Sequence, residues 1–172
     1  MSARILLSSA VYFLIAYLFA TRENPKDNPT FTESVIPLIS VFTPAILLYV
    51  SSVFEAQYSF ARVGTSIIIG GLFITLLSLY RLKRSFAILP ARREIIINGP
   101  YAVVRHPIYA GEITTSIGLL LTHLHYMGIV ILILGILATI FRMNIEEKKL
   151  SVDEKYRKYK SKVTYKLIPL IW

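Results

Sequence analysis

The stretch Gly99-Pro100-Tyr101-Ala102-Val103-Val104-Arg105-His106-Pro107-Ile108-Tyr109-Ala110-Gly111 gathers prolines, glycines, tyrosines, an Arg and a His between a basic cluster and an apolar run. Ionisable groups at the edge of an apolar block are costly and are functional candidates by default. Gly99-Pro100 breaks any preceding structure and forces a turn. His106 stands before a proline, which biases it away from helical geometry. Pro107 suits the first position of a helix, where its missing N–H costs nothing. The free N–H groups and positive dipole end of that helix suit an anionic group. Tyr101, His106 and Tyr109 converge there, and Tyr109 shares a helix face with Glu112, three residues on. The plainer alternative is a re-entry turn, with Arg105 on lipid phosphates and the tyrosines in an aromatic belt.

A second group is Phe141-Arg142-Met143-Asn144-Ile145-Glu146-Glu147-Lys148-Lys149-Leu150. Arg142 ends an apolar block, and Glu146 follows one helical turn later on the same face. Alone this reads as a solvated helix end with Glu146 pairing Lys149. If the preceding helix turns back against its neighbour, Arg142 and Glu146 come beside His106 and Tyr109 and form a pocket wall. His123 and His125 fall in the opposite loop and read as interfacial residues, so no metal is expected. The absence of cysteine excludes disulfides, thiolate zinc sites and cysteine nucleophiles. There is no P-loop or dinucleotide-type glycine loop, and no plausible Ser-His-Asp set.

Apolar blocks must position these groups. The 172 residues are 55% hydrophobic and only 17% charged, with a mean hydropathy of +0.59, which departs from a soluble domain towards a membrane one. Five blocks stand out: Ile5–Ala20, Val35–Phe54, Val63–Tyr80, Ile108–Thr122 and Tyr126–Phe141. The second and third approach the ~20 residues a bilayer crossing needs. The fourth and fifth are short and separated only by His123-Leu124-His125, which predicts a tight antiparallel hairpin with one or both members shallow. The first block lacks a cleavage pattern and reads as a transmembrane helix rather than a signal peptide.

The expected fold is therefore all-α, an integral membrane protein of five transmembrane helices with a C-terminal helical hairpin. Residues 1–80 form the first three helices, and 81–172 the region that carries the chemistry. Of the 19 Lys and Arg, all but Arg4 and Arg62 fall in 21–34, 81–107 and 142–172. The positive-inside rule then puts the N-terminus outside, and the 81–107 connection and the C-terminus on the cytoplasmic side. Topology and anionic headgroups account for the net charge of +9, so nucleic acid is not an expected partner. Val152, Tyr156, Tyr159 and Val163 recur at helical spacing, with Asp153–Arg157 and Glu154–Lys158 as acid-to-base pairs. They predict a cytoplasmic amphipathic tail helix, packed on the mouth of the bundle or lying in the headgroups.

In order along the chain, Gly-Pro-Tyr, Arg-His-Pro-x-Tyr-x-Gly at 105–111, Arg-x-x-x-Glu-Glu-x-x-Leu at 142–150 and Tyr-x-x-Tyr at 156–159 resemble the isoprenylcysteine carboxyl methyltransferases. They are similar also to the related phospholipid methyltransferases. The resemblance covers about residues 80–172. It implies methyl transfer from S-adenosylmethionine inside a small helical membrane domain. It implies that Tyr101, His106, Pro107, Ile108 and Tyr109 line the cofactor, that Glu146 holds its polar end, and that Glu94, Ile95 and Ile96 form part of the same wall. It also implies that Arg142 faces the substrate. Two departures stand out: the tail is about two residues shorter before Tyr156, where the family often has Phe-Gly, and 86–93 is compact.

The chemistry is coherent with those residues. A sulfonium donor suits the aromatic faces of Tyr101 and Tyr109. A carboxylate acceptor is already ionised and needs orientation, which Arg142 can supply bidentately. An amine acceptor must lose a proton, which Glu147 or Glu112 would have to take. The acceptor expected first is the carboxylate of a prenylcysteine or similar lipophilic molecule entering from the bilayer, with a phospholipid amine as the alternative. A nicotinamide-dependent membrane reductase and a non-enzymatic scaffold are the alternatives of other classes.

Overall fold

The computed structural model describes residues 31–82 and 96–172, with side chains from Val35 onward. The first apolar block, Glu94 and Ile95 lie outside the described residues. Within them, all regular structure is helical apart from one isolated bridge between Tyr58 and Leu124. Helix α1 spans Phe31–Val53, α2 Ala61–Leu82, α3 Pro107–Thr122, α4 Tyr126–Leu150 and α5 Glu154–Lys162, with a 3₁₀ turn at Gly99–Ala102 ahead of α3.

Among the described residues, three helices are long and apolar enough to cross a membrane: Val35–Val53 within α1, then α2 and α4. Helix α4 runs 25 residues, past the predicted end at Phe141. The bundle encloses the charges that a hydropathy pattern counts as an end: Arg142, Glu146 and Glu147 are all buried. At 1.5 Å per residue it is about 37 Å long, so this member of the hairpin is not shallow. Helix α3 has 16 residues, about 24 Å, short of a ~30 Å hydrocarbon core.

Small residues decide which helices pair. Gly64 and Gly71 of α2 face Gly118 and Gly111 of α3. A Cβ on Gly71 would stand 2.6 Å from the Thr115 amide nitrogen and 2.8 Å from the Gly111 carbonyl, and one on Gly118 would stand 2.7 Å from the Gly64 carbonyl. The two backbones are therefore in contact, and the reversed order of partners makes the helices antiparallel. In lipid, where apolar faces gain nothing from leaving water, such close approach is the main source of helix association.

Helix α4 packs chiefly on α1 by the same device. Gly135 lies against Thr43, and Gly128 against Leu47 and Leu120. The α3–α4 hairpin is thus two consecutive helices, each seated on an earlier one. They also meet at the His106–Glu146 end, where Tyr109 bonds Glu146. The opposite end is closed by main-chain bonds, Gln57 N–H to Leu124 O at 2.9 Å and Leu124 N–H to Tyr58 O at 2.9 Å.

Helix α5 packs on the mouth, the first of its two predicted positions. Tyr156 and Tyr159 are buried with Leu150, and Val163 joins them. Asp153 caps the helix through Lys155 N–H at 2.8 Å. Glu154 pairs Lys158 at 2.8 Å on the surface, whereas Arg157 turns to the carbonyls of Ser151 and Val152.

Candidate functional site

The site is built where the 3₁₀ turn, the start of α3, the end of α4 and the strap 163–166 meet. Gly99 has φ +66°, and its position is also crowded by the Arg81 side chain, so the turn requires a glycine there. Pro107 is the first residue of α3 and His106 precedes it in non-helical backbone, as the sequence predicts, with no capping bond from the His106 side chain. The expectation of free N–H groups is modified: Arg105 N–H donates to Tyr165 O and His106 N–H to Lys166 O, each at 2.9 Å. The strap takes these two amides, which stand just ahead of the helix.

Tyr109 is the centre of the arrangement. Its ring is nearly parallel to that of His106, 8° apart with centroids at 5.3 Å. Its hydroxyl donates to Glu146 Oε2 at 2.5 Å. The guanidinium carbon of Arg142 stands 4.7 Å from the ring centroid. His106 lies between two carboxylates, with Nε2 3.3 Å from Glu147 Oε1 and Nδ1 3.9 Å from Glu146 Oε2. Tyr101 and Ile108 are buried in the same core cluster as Tyr109, and Ile96 packs against it. The structure thus brings Ile96, Tyr101, His106, Pro107, Ile108, Tyr109, Glu146 and Arg142 to one end of the bundle.

Arg142 and Glu147 point to different neighbourhoods. Glu147 belongs to an ionic clasp: Arg105 Nε donates to its Oε1 at 2.7 Å, and Lys160 Nζ reaches its Oε2 at 3.2 Å. Arg105 also donates to the carbonyls of Val163 and Thr164 at 2.8 and 2.7 Å. This cluster fastens the strap over His106. Tyr159 adds a second tie, its hydroxyl donating to Tyr101 O at 2.7 Å. Burial raises the Tyr159 hydroxyl above its ordinary pKa, against the pull of Arg105 and with a smaller push from Glu147.

Arg142, only 2% exposed, faces the interior. Its Nη1 is 3.3 Å from Ser40 Oγ and 4.0 Å from Glu112 Oε2. Arg142 Nε and Glu112 Oε2 are both buried without a hydrogen-bond partner. Below them is a small cavity of mixed lining, about one water in size, where Ser40, Thr43, Glu112, Ser116 and Thr139 stand beside Ile113, Leu132 and Ile136. All four hydroxyls donate to backbone carbonyls of their own helices, so none has a proton left to offer the cavity. The sequence marks Glu112 as a helix neighbour of Tyr109 and as a candidate base for an amine acceptor. Its pairing with Arg142 depends on a helix contact that residue spacing does not show.

A comparison with family models finds the phospholipid methyltransferases, matched over residues 60–158, more than half of the chain. The chain belongs to that family. The match includes α2 as well as the motif-bearing region, so the glycine-matched pair α2–α3 lies within it. A comparison with curated proteins gave no match. Family membership makes this a membrane methyltransferase fold, all-helical as expected, and the chemistry to be explained is methyl transfer.

Proposed function

We propose that the protein transfers a methyl group from S-adenosylmethionine to a lipophilic acceptor that enters from the bilayer, and that the acceptor group is a carboxylate of the prenylcysteine kind. When bound, the cofactor supplies a methyl group made electrophilic by a sulfonium charge. The residues present fit such a cation: a carboxylate on Glu146, oriented by Tyr109, beside the stacked faces of His106 and Tyr109. Glu146 and Tyr109 hold the polar end, Tyr101 and Ile108 the apolar surround, and the strap excludes water.

The observation that carries the acceptor assignment is the unpartnered Nε of buried Arg142. A guanidinium N–H left without an acceptor is expensive inside a protein, and an incoming anion would satisfy it. The acceptor carboxylate is ionised at neutral pH and needs no base, so Arg142 acts by alignment, which alone supplies much of the rate. Glu147 acts as a positioning residue, holding the strap through Arg105. In the expected orientation this end of the bundle is cytoplasmic.

A specific observation favours a second reading, a phospholipid amine. Glu112 Oε2 has no hydrogen bond, only the Arg142 guanidinium at 4.0 Å, and it lines a cavity whose four hydroxyls have no proton left to donate, so an N–H donor would find acceptors there. Glu112 would then take the proton that the amine releases. The test is methyl transfer from labelled cofactor by the purified protein in lipid, with prenylcysteine and phosphatidylethanolamine offered separately. Ester formation on prenylcysteine alone supports the first reading. Methylation of the amine alone, lost in Glu112→Gln, replaces it with the second.

A further inference from the structure

The turn Leu167–Trp172 serves none of the roles above. Leu167 is buried in the core cluster with Tyr101, Ile108, Tyr109 and Met143. From there the chain folds back on itself. The amides of Leu167 and Ile168 donate to Trp172 O at 3.0 Å, and those of Ile171 and Trp172 donate to Ile168 O at 3.2 and 3.1 Å. Leu170 has φ 68°, a left-handed conformation that a leucine adopts only when its surroundings impose it. Lys166 Nζ sits 5.1 Å from the Trp172 ring centroid. An ordered turn thus holds Ile168, Leu170, Ile171 and Trp172 outward, with Leu170 83% and Ile171 78% exposed. An apolar tip of that kind on a fixed backbone marks an interaction surface.

Depth and charge identify the occupant. The strap leading into the turn bonds to Arg105 and His106, immediately before α3. Lys166 Nζ also reaches Asn144 Oδ1 on α4 at 3.3 Å. The turn therefore stands level with the start of one helix and the last turns of a membrane-spanning one, which is the lipid–water boundary. From Lys155 to Trp172 the side chains include Lys155, Arg157, Lys158, Lys160, Lys162 and Lys166, and no Asp or Glu. Tryptophan favours that boundary, and a cationic segment beside it favours anionic headgroups.

We propose that Leu167–Trp172 is a bilayer anchor: Ile168, Leu170, Ile171 and Trp172 enter the headgroup–acyl boundary of an anionic leaflet, while Lys162 and Lys166 meet its phosphates. The carbonyls of Tyr165 and Lys166 fasten the same strap to the start of α3, so the lipid surface helps to hold the strap over His106.

Trp172 is the single tryptophan of the chain, so its emission reports on this turn without a label. The full chain is placed in nanodiscs of phosphatidylcholine, with and without phosphatidylglycerol, and in matched discs whose acyl chains are brominated. The anchor predicts blue-shifted emission that loses most of its intensity to brominated lipid and little to iodide. It also predicts a larger shift with phosphatidylglycerol, and loss of the shift in Leu170→Asp/Ile171→Asp. Red emission quenched by iodide and untouched by bromine overturns the proposal, because the turn is then in water. A blue shift that vanishes at one chain per disc also overturns it, because a second copy then covers the turn.

Discussion

Glu147→Gln separates a positioning role from a catalytic one. The substitution keeps the shape of the side chain and removes the charge that Arg105 meets at 2.7 Å. Both partners are buried, with side chains 5% and 7% exposed. Breaking such a pair from one side costs about 3–5 kcal/mol, because the remaining charge is left uncompensated. Lys160 is 44% exposed and its bond adds at most about 1 kcal/mol. Arg105 keeps its bonds to Val163 O and Thr164 O, which puts the expected loss near the low end, about 3 kcal/mol. Every 1.4 kcal/mol is tenfold, so opening of the strap rises on the order of 100-fold. Hydrogen exchange read by mass spectrometry reports it directly. The amides of Arg105 and His106, which donate to strap carbonyls, lose protection by that factor while α2 keeps its own. Cofactor affinity falls with them. Unchanged protection together with a pure fall in turnover would refute the reasoning and make Glu147 a proton acceptor.

Arg142→Lys keeps the charge and loses the planar fork, so turnover falls on the order of 100-fold through misalignment while cofactor binding, read by titration calorimetry, stays close to wild type. Gly71→Ala would press a methyl group against the Thr115 amide and the Gly111 carbonyl and costs about 1–3 kcal/mol, visible as a lower unfolding midpoint in detergent. Tyr159 has a raised pKa, so its contribution is complete below the ordinary tyrosine value of about 10 and is lost as pH rises towards the folded value. Wild-type stability therefore declines above that pH. Tyr159→Phe starts about 1 kcal/mol lower, through loss of the bond to Tyr101 O, and declines less steeply.

The motif residues show how far a sequence reaches here. Pro107 at a helix start, His106 in non-helical backbone before it and Glu146 beside Tyr109 follow from local backbone rules and one assumption about a hairpin. The pairing of helices does not. The apolar blocks are apolar on all sides, so periodicity leaves their contact faces undefined. The faces are set instead by Gly64, Gly71, Gly111 and Gly118, whose seven-residue spacing has meaning only once the antiparallel register is known. Helix α4 outruns its hydropathy pattern because Ser40, Glu112 and Arg105 accommodate its charges from distant parts of the chain. The clasp on Glu147 was equally hidden, since Arg105 reads as a phosphate ligand until the strap is seen to cross it.

The central claim is that the cluster of His106, Tyr109 and Glu146 holds S-adenosylmethionine. Equilibrium binding of that cofactor to the purified protein in lipid, wild type beside Glu146→Ala, tests it most directly. The account predicts saturable binding to the wild type, lost in a variant that keeps its helical content and unfolding midpoint. Equal binding by both proteins, or none by folded wild type, would contradict it.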